Sequence, residues 1–377
     1  MTDKTPVERV ALENYVSTEN ILPDYRGVTK ATRLPTTGSV TRYRPNDTLV
    51  SNIRPYLKKV WVADKEGGAS NDVIVIRAKR LAPQYLSCLL KNDAFIDYVM
   101  TGAKGVKMPR GDVGSIKAYS TLYPSKAEQQ KIADCLSSLD EVIAAQGRKV
   151  EALKTHKKGL MQQFFPREGE TQPRLRLPEF QDAGEWKETR LGKLGKLVSG
   201  LTYSPDDVRE VGLLVLRSSN VQNSEITLDD CVYVDPSIKG ANLSQPEDIL
   251  ICVRNGSKAL IGKCALIPQG MPLCTHGAFM TVFRAETPSF VFQLFQSDRY
   301  QKQVAGDLGA TINSINGSQF LKYEFMAPKP AEQKRIADFL TSHDGLITVA
   351  TQELNTLKTH KKGLMQQLFP SAQEVAA

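Results

Sequence analysis

Four side chains could in principle gather a metal: Cys252, Cys264, Cys274 and His276. Thiolate and imidazole suit zinc, but structural zinc sites space their ligands in close pairs and these four follow no such spacing, which favours incidental or buried residues. The six cysteines (Cys88, Cys135, Cys231, Cys252, Cys264 and Cys274) include no Cys-x-x-Cys pair and suit a reducing compartment. The chain has no GxxxxGK[ST] phosphate loop, so it should not drive translocation by itself. It also lacks a Gly-rich cofactor turn and the Asn/Asp-Pro-Pro-aromatic stretch with which amino-methylating enzymes hold a flipped base. No nucleophile constellation stands out. What remains are cations, amides and hydroxyls between apolar runs, and their chemistry is recognition. Arg pairs bidentately with guanine, Lys neutralises phosphate, and amide and hydroxyl groups suit adenine edges and phosphate oxygens.

In the first third of the chain these groups are Arg42, Arg44, Arg54, Lys58 and Lys59, around the stretch SNIRPYLKK, with Lys104, Lys107 and Arg110 in the Gly-rich loop GAKGVKMPRGDVG. Further on they are Arg217, Ser218, Ser219 and Asn220, then Arg254, Asn255, Ser257 and Lys258, then Thr311, Asn313, Ser314 and Asn316. Solvated surface charge accounts for the cations, and turn formation for the Asn residues beside Gly, equally well. The net charge of +8 is unevenly spread: residues 1–126 hold 20 Lys and Arg against 12 Asp and Glu, and the remainder balances. A concentrated positive field attracts polyanions.

The elements that must position these groups are of two kinds. Residues 47–53, 60–63 and 73–77 read as strands, residues 84–100 have helical apolar spacing, and residues 115–123 look strand-like. Residues 167–185 are polar, with Pro and Gly, and read as a linker. Beyond it, strands are expected at 212–216, 232–234, 248–253, 264–267 and 279–283, with a helix near 289–304. The two globular regions echo each other. Pro45-Asn46-Asp47-Thr48-Leu49 matches Pro246-Glu247-Asp248-Ile249-Leu250, and Gly105, Tyr119 and Pro124 lie 204 residues before Gly309, Tyr323 and Pro328. The first region has no counterpart of residues 186–211.

The second kind of element occurs twice. Residues 127–166 and 331–370 agree at 23 of 40 positions without a gap, including an unbroken run from Lys154 to Gln163 against Lys358 to Gln367. Each carries a seam at alternating steps of four and three: Ile132, Leu136, Leu139, Ile143, Gln146, Val150, Leu153, Lys157, Leu160 and Phe164, then Ile336, Leu340, His343, Ile347, Ala350, Leu354, Leu357, Lys361, Leu364 and Leu368. A 3.5-residue period bounded by Pro at each end specifies a long helix with a coiled-coil seam. One narrow stripe cannot be buried alone, so each helix is expected to pack on the other, antiparallel, because a whole domain separates them. Lys157 and Lys361 occupy equivalent seam positions; they either fix register or, with His156 and His360 beside them, meet a docked partner.

The expected layout is thus a first domain at 1–126, a spacer helix at 127–166, a linker at 167–185, a second domain at 186–330, a second spacer helix at 331–370 and a tail at 371–377. The class is α+β, with two globular domains separated by an antiparallel intramolecular coiled coil in a pseudo-twofold arrangement. A length of 377 residues with 41% hydrophobic content supports a core in each domain. No apolar run approaches the ~18 residues of a membrane helix, and the N-terminus lacks the apolar core of a secretion signal, so a cytoplasmic chain is expected.

The duplicated helices, with their AEQxxIAxxL openings and KTHKKGLMQQxF endings, and the LPEF…GEWxxxxLG run at 177–192 together resemble the specificity subunit of type I restriction-modification systems. The resemblance covers essentially the full chain. It implies two target recognition domains, each reading one half of a split sequence in double-stranded DNA. It further implies helices that set the distance between the halves and dock two modification (methyltransferase) subunits, which restriction/translocase subunits join. The chain would be non-catalytic and carry no cofactor of its own; S-adenosylmethionine, ATP and Mg belong on the partner subunits. Two other classes compete: a self-sufficient nuclease with a dispersed acidic metal site, and a coiled-coil scaffold with no DNA role.

Overall fold

A computed structural model of the protein describes residues 3–308 and 313–370. The chain forms two compact units. One contains the residues up to Arg148 together with those from Thr351 onward, the other Lys149–Ala350, so each owns one globular domain and half of each long helix.

The long helices are Lys126–Phe164 and Pro330–Leu368, 39 residues each, about 58 Å at ~1.5 Å per residue. Every predicted seam residue is buried or half-buried. Within the first unit the helix halves run antiparallel: Gln146 Nε2 donates to Glu353 Oε2 at 2.8 Å, Lys361 pairs with Asp140, and Ile132, Ala133 and Leu136 pack in one cluster with Tyr85, Leu89 and Phe369. The second unit is antiparallel too. Lys157 Nζ donates to Asp344 Oδ1 at 2.6 Å, and the Phe164 and Phe339 rings meet at 5.2 Å. Residues 157 and 361, like 140 and 344, lie 204 apart, so both units contain the same interhelical ion pair. A half-exposed pair of this kind contributes only ~1 kcal/mol; its value is register, since a slipped seam would strand both lysines against apolar neighbours.

The domain of the second unit is built on an antiparallel sheet ordered Cys264–Leu266, Ile249–Cys252, Met280–Ala285, Gly195–Ser199. Alternate residues Ile249, Ile251 and Phe283 point into a core with Phe290, Phe295, Tyr300 and Phe320. A second sheet places Leu213–Leu216 parallel to Cys274–His276. The first unit repeats this plan in shorter form: Val60–Val62, Thr48–Ser51 and Val73–Ile76 are antiparallel, and Tyr15–Val16 runs parallel to Gly67–Ala69. In both, a buried aspartate just before the central strand takes a two-pronged guanidinium from a neighbouring strand end, Arg77 on Asp47 and Arg284 on Asp248, all at 2.6–2.8 Å.

Three expectations are corrected. The helices at 84–100 and 289–304 are each two: Pro83–Leu90 with Asp93–Thr101, and Pro288–Phe295 with Asp298–Asp307. Asn92 and Ser297 break them by accepting from the backbone N–H of Ala94 and Tyr300, which starts a new helix. The linker is tied down: buried Arg176 clamps Glu332 with Nε and Nη2, both at 2.8 Å, and donates to the carbonyls of Ala183 and Gly184, while Trp186 Nε1 donates to the same carboxylate. Finally, residues 115–123 are helix Val113–Ala118 followed by no strand. The equivalent stretch of the second unit is strand Glu324–Ala327, and its partner is Lys187–Arg190, drawn from the segment that the first region lacks. The same deficit leaves Val73–Ile76 with a strand on one side only among the described residues, where Met280–Ala285 has Gly195–Ser199 on its other side, and leaves Leu122 and Tyr123 half-exposed.

Candidate nucleic-acid interface

In each domain the central strand ends in a loop that meets the Gly-rich segment. In the first unit the backbone at Ile53 bridges to Arg110, Arg54 N–H donates to Pro109 O at 2.8 Å, and Gly111 N–H to Asn52 O at 3.1 Å. In the second, Arg254 bridges to Ser314 and Ile315 N–H donates to Val253 O at 2.8 Å. Three clusters far apart in the second half of the sequence converge there: Asn255 Nδ2 donates to Ser218 Oγ at 3.2 Å, its Oδ1 accepts from Ser257 N–H, and Asn313 Nδ2 donates to Gly256 O. Ser219 and Lys258 lie exposed on the same loops. The exposed guanidinium of Arg254 sits 5.8 Å from the ring centre of Phe279, itself 59% exposed. Sequence reading assigned Phe279 to a strand start; its exposure beside a cation was not legible there.

The first-unit cations are less uniformly available. Arg54 is exposed with left-handed backbone, φ 52°, ahead of the turn Pro55–Leu57, and Lys58 closes that turn at φ 52°. Such conformations cost a non-Gly residue of order 1 kcal/mol and hold the loop in one shape. Lys58 is committed to Asp93 at 2.6 Å. Lys59 donates to Thr18 O, and burial, with the nearby Arg54 charge, lowers its pKa. Arg42 and Arg44 belong to the other sheet or its margin and hold Glu66 and Asp3. Lys104 and Lys107 are exposed on the Gly-rich loop, and Arg110 is steered by Asp72 at 2.7 Å.

One candidate is corrected and one lies outside view. Asn220 is fully buried: its Oδ1 accepts from Arg217 N–H and its Nδ2 donates to Thr227 O and Asp230 O, so it shapes the turn and cannot reach a ligand. Asn20 does the same in the first unit, bonded to Ser17, Tyr15 and Thr29. Asn316 is exposed, but its Oδ1 caps helix Gly317–Phe320, the office held by Asp112 204 residues earlier, whose carboxyl the Ser115 N–H holds below the usual range. Thr311 lies outside the described residues. Arg217 keeps an ion pair to Asp230 at 2.8 Å. Replacing Asn220 with Ala is therefore expected to cost ~1–3 kcal/mol of stability, whereas Arg254→Ala is expected to leave the melting temperature unchanged and weaken binding to one half-site by ~1–3 kcal/mol. A thermal melt beside a binding titration decides it; equal stability loss in both variants defeats the distinction.

On the helices, Lys157 and Lys361 are committed across the seam to Asp344 and Asp140, as register-holding residues are. His156 lies against His343 at 5.4 Å between ring centres, and His360 is exposed. The sulfur and imidazole set forms no metal centre among the described residues. His276 Nε2 faces Val198 O and so donates to it, leaving Nδ1 to accept from Ser244; burial lowers its pKa, and burial pushes the Cys264 thiol up to about 12. Among the described residues no helix is long and apolar enough to cross a membrane.

The family described as type I restriction modification DNA specificity domain matches residues 14–155 and 183–359, taking in both globular domains and most of both long helices. The chain belongs to this family. Among curated members, the specificity subunit of the type I restriction enzyme StySPI from Salmonella potsdam is 30% identical over 165 residues, 41% of this chain and 35% of that protein. The EcoKI specificity subunit from Escherichia coli K12 is 31% identical over the same length. The chain thus spans about a third, 35%, of the length of these relatives. The S subunit of a type I restriction-modification system from M. genitalium shares the fold, with a TM-score of 0.57 at 15% identity over 98% of this chain and 96% of that one.

Proposed function

We propose that the chain is the non-catalytic specificity subunit of a type I restriction-modification complex, acting in the cytoplasm. Each domain reads one half of a bipartite duplex target, and the long helices set the unread gap and dock two modification subunits, which restriction/translocase subunits join. S-adenosylmethionine, ATP and Mg act on those partners. The observation that carries this reading is the repeated convergence of two loops beyond the central strand, at Ile53 with Arg110 and at Arg254 with Ser314. Each presents exposed Arg on a fixed backbone, as base reading requires, with further cations for phosphate.

Co-expression with the cognate modification subunit, followed by mapping of methylated sites across a genome, tests it: two short half-sites at constant separation are expected. Scattered methylation without a shared sequence counts against it, and divalent-dependent cleavage by the isolated chain would favour the nuclease alternative. The spacer role has its own test. Adding one turn at matched points in both long helices is expected to lengthen the gap, given ~34–36 Å per duplex turn. An unchanged gap removes the ruler.

A further inference from the structure

The first-unit finger carries more than cations. Lys104 and Arg110 exchange backbone hydrogen bonds, both 2.9 Å, closing a seven-residue hairpin with Gly105 at φ 99° and buried Pro109 at its base. At its tip Val106 is 101% exposed and Met108 54%. Lys107 stands between them, and Lys104 and Arg110 flank them. Arg54, anchored to the finger through Pro109 O, completes the cationic surround.

We infer that Val106 and Met108 are specificity-determining residues that pack on thymine methyl groups in the major groove. This rests on the reading that these loops face DNA. A two-stranded ribbon enters a major groove ~12 Å wide and is too broad for a minor groove ~6 Å wide. With the lysines on phosphates and the arginines reading bases from the flanks, the tip faces the base edges between them. The apolar group displayed there is the C5-methyl of thymine. Arg110 pairs with Asp72 at 2.7 Å at the base of the hairpin, which leaves the apolar pair at the centre of its tip.

The test uses the full chain assembled with its modification subunits and selection from randomised duplexes. The Val106→Ser/Met108→Ser variant is expected to lose a T·A preference at one or two positions of one half-site while the other half-site stays unchanged. Uracil placed at those positions removes only the methyl. It is expected to weaken wild-type binding about three- to fivefold per methyl and to leave the variant indifferent. An unaltered selected sequence in the variant, a half-site with no T·A preference, or a wild type blind to uracil overturns the inference while leaving DNA reading intact. Failure of the wild-type complex to select any sequence overturns both.

Discussion

Glu332→Ala is expected to be among the most destabilising single changes of a charged residue in the long helices, lowering stability by about 3–5 kcal/mol, because it leaves a buried guanidinium without its counter-charge. The Arg176 and Glu332 side chains are 8% and 3% exposed, and Trp186 Nε1 loses its acceptor at the same time. Sequence equivalence supplies the control. Glu128 stands 204 residues earlier in the same helix motif but is exposed, so Glu128→Ala is expected to stay within ~0.5 kcal/mol of wild type. Denaturant titration of the full chain compares the two, and equal effects would defeat the account. Replacing both partners, Arg176→Met with Glu332→Leu, is expected to recover much of the loss, because the charge then stranded by the single change is gone.

The paired aspartates come next. Asp47→Ala and Asp248→Ala each remove a carboxylate 2% exposed that accepts from two guanidinium nitrogens and a backbone N–H, that of Arg44 or Gln245. The stranded arginines, Arg77 and Arg284, are 42% and 28% exposed and can turn to water, so the expected cost is smaller than at Glu332, about 2–3 kcal/mol. The location of the damage is the sharper readout. By hydrogen exchange, Asp47→Ala is expected to loosen strand Thr48–Ser51 and spare Ile249–Cys252, and Asp248→Ala the reverse. Loosening of both sheets by either variant would show that the two units do not hold their cores separately.

The long helices and the duplication were legible because they rest on a short-range period and on an identical run, and the antiparallel sense because a whole domain lies between the two helices. The Pro-x-Asp echo before each central strand marked Asp47 and Asp248, though not the arginines that hold them, which depend on strands pairing across some 30 residues. The parallel pairing of Leu213–Leu216 with Cys274–His276 could not be read, since periodicity says nothing about partners 60 residues away. The recognition loops were read as three scattered clusters; their meeting through Asn255 and Asn313 is a long-range outcome. Asn220 was misassigned because a turn-forming amide and a base-reading amide look alike in sequence, and burial alone separates them. The helix breaks at Asn92 and Ser297 were readable as N-caps and were overridden by apolar spacing that continued through them.

Among the described residues Val73–Ile76 pairs with a strand on one side only, and an unpaired strand edge has a consequence for behaviour in bulk. Outward N–H and C=O groups along a β ribbon are a template for any passing extended chain, and natural proteins blunt that hazard with charge, as Arg77, Lys79 and Arg80 do just beyond this one. Repulsion between such cations on neighbouring molecules opposes their knitting together at that edge, a safeguard that weakens as salt screens them.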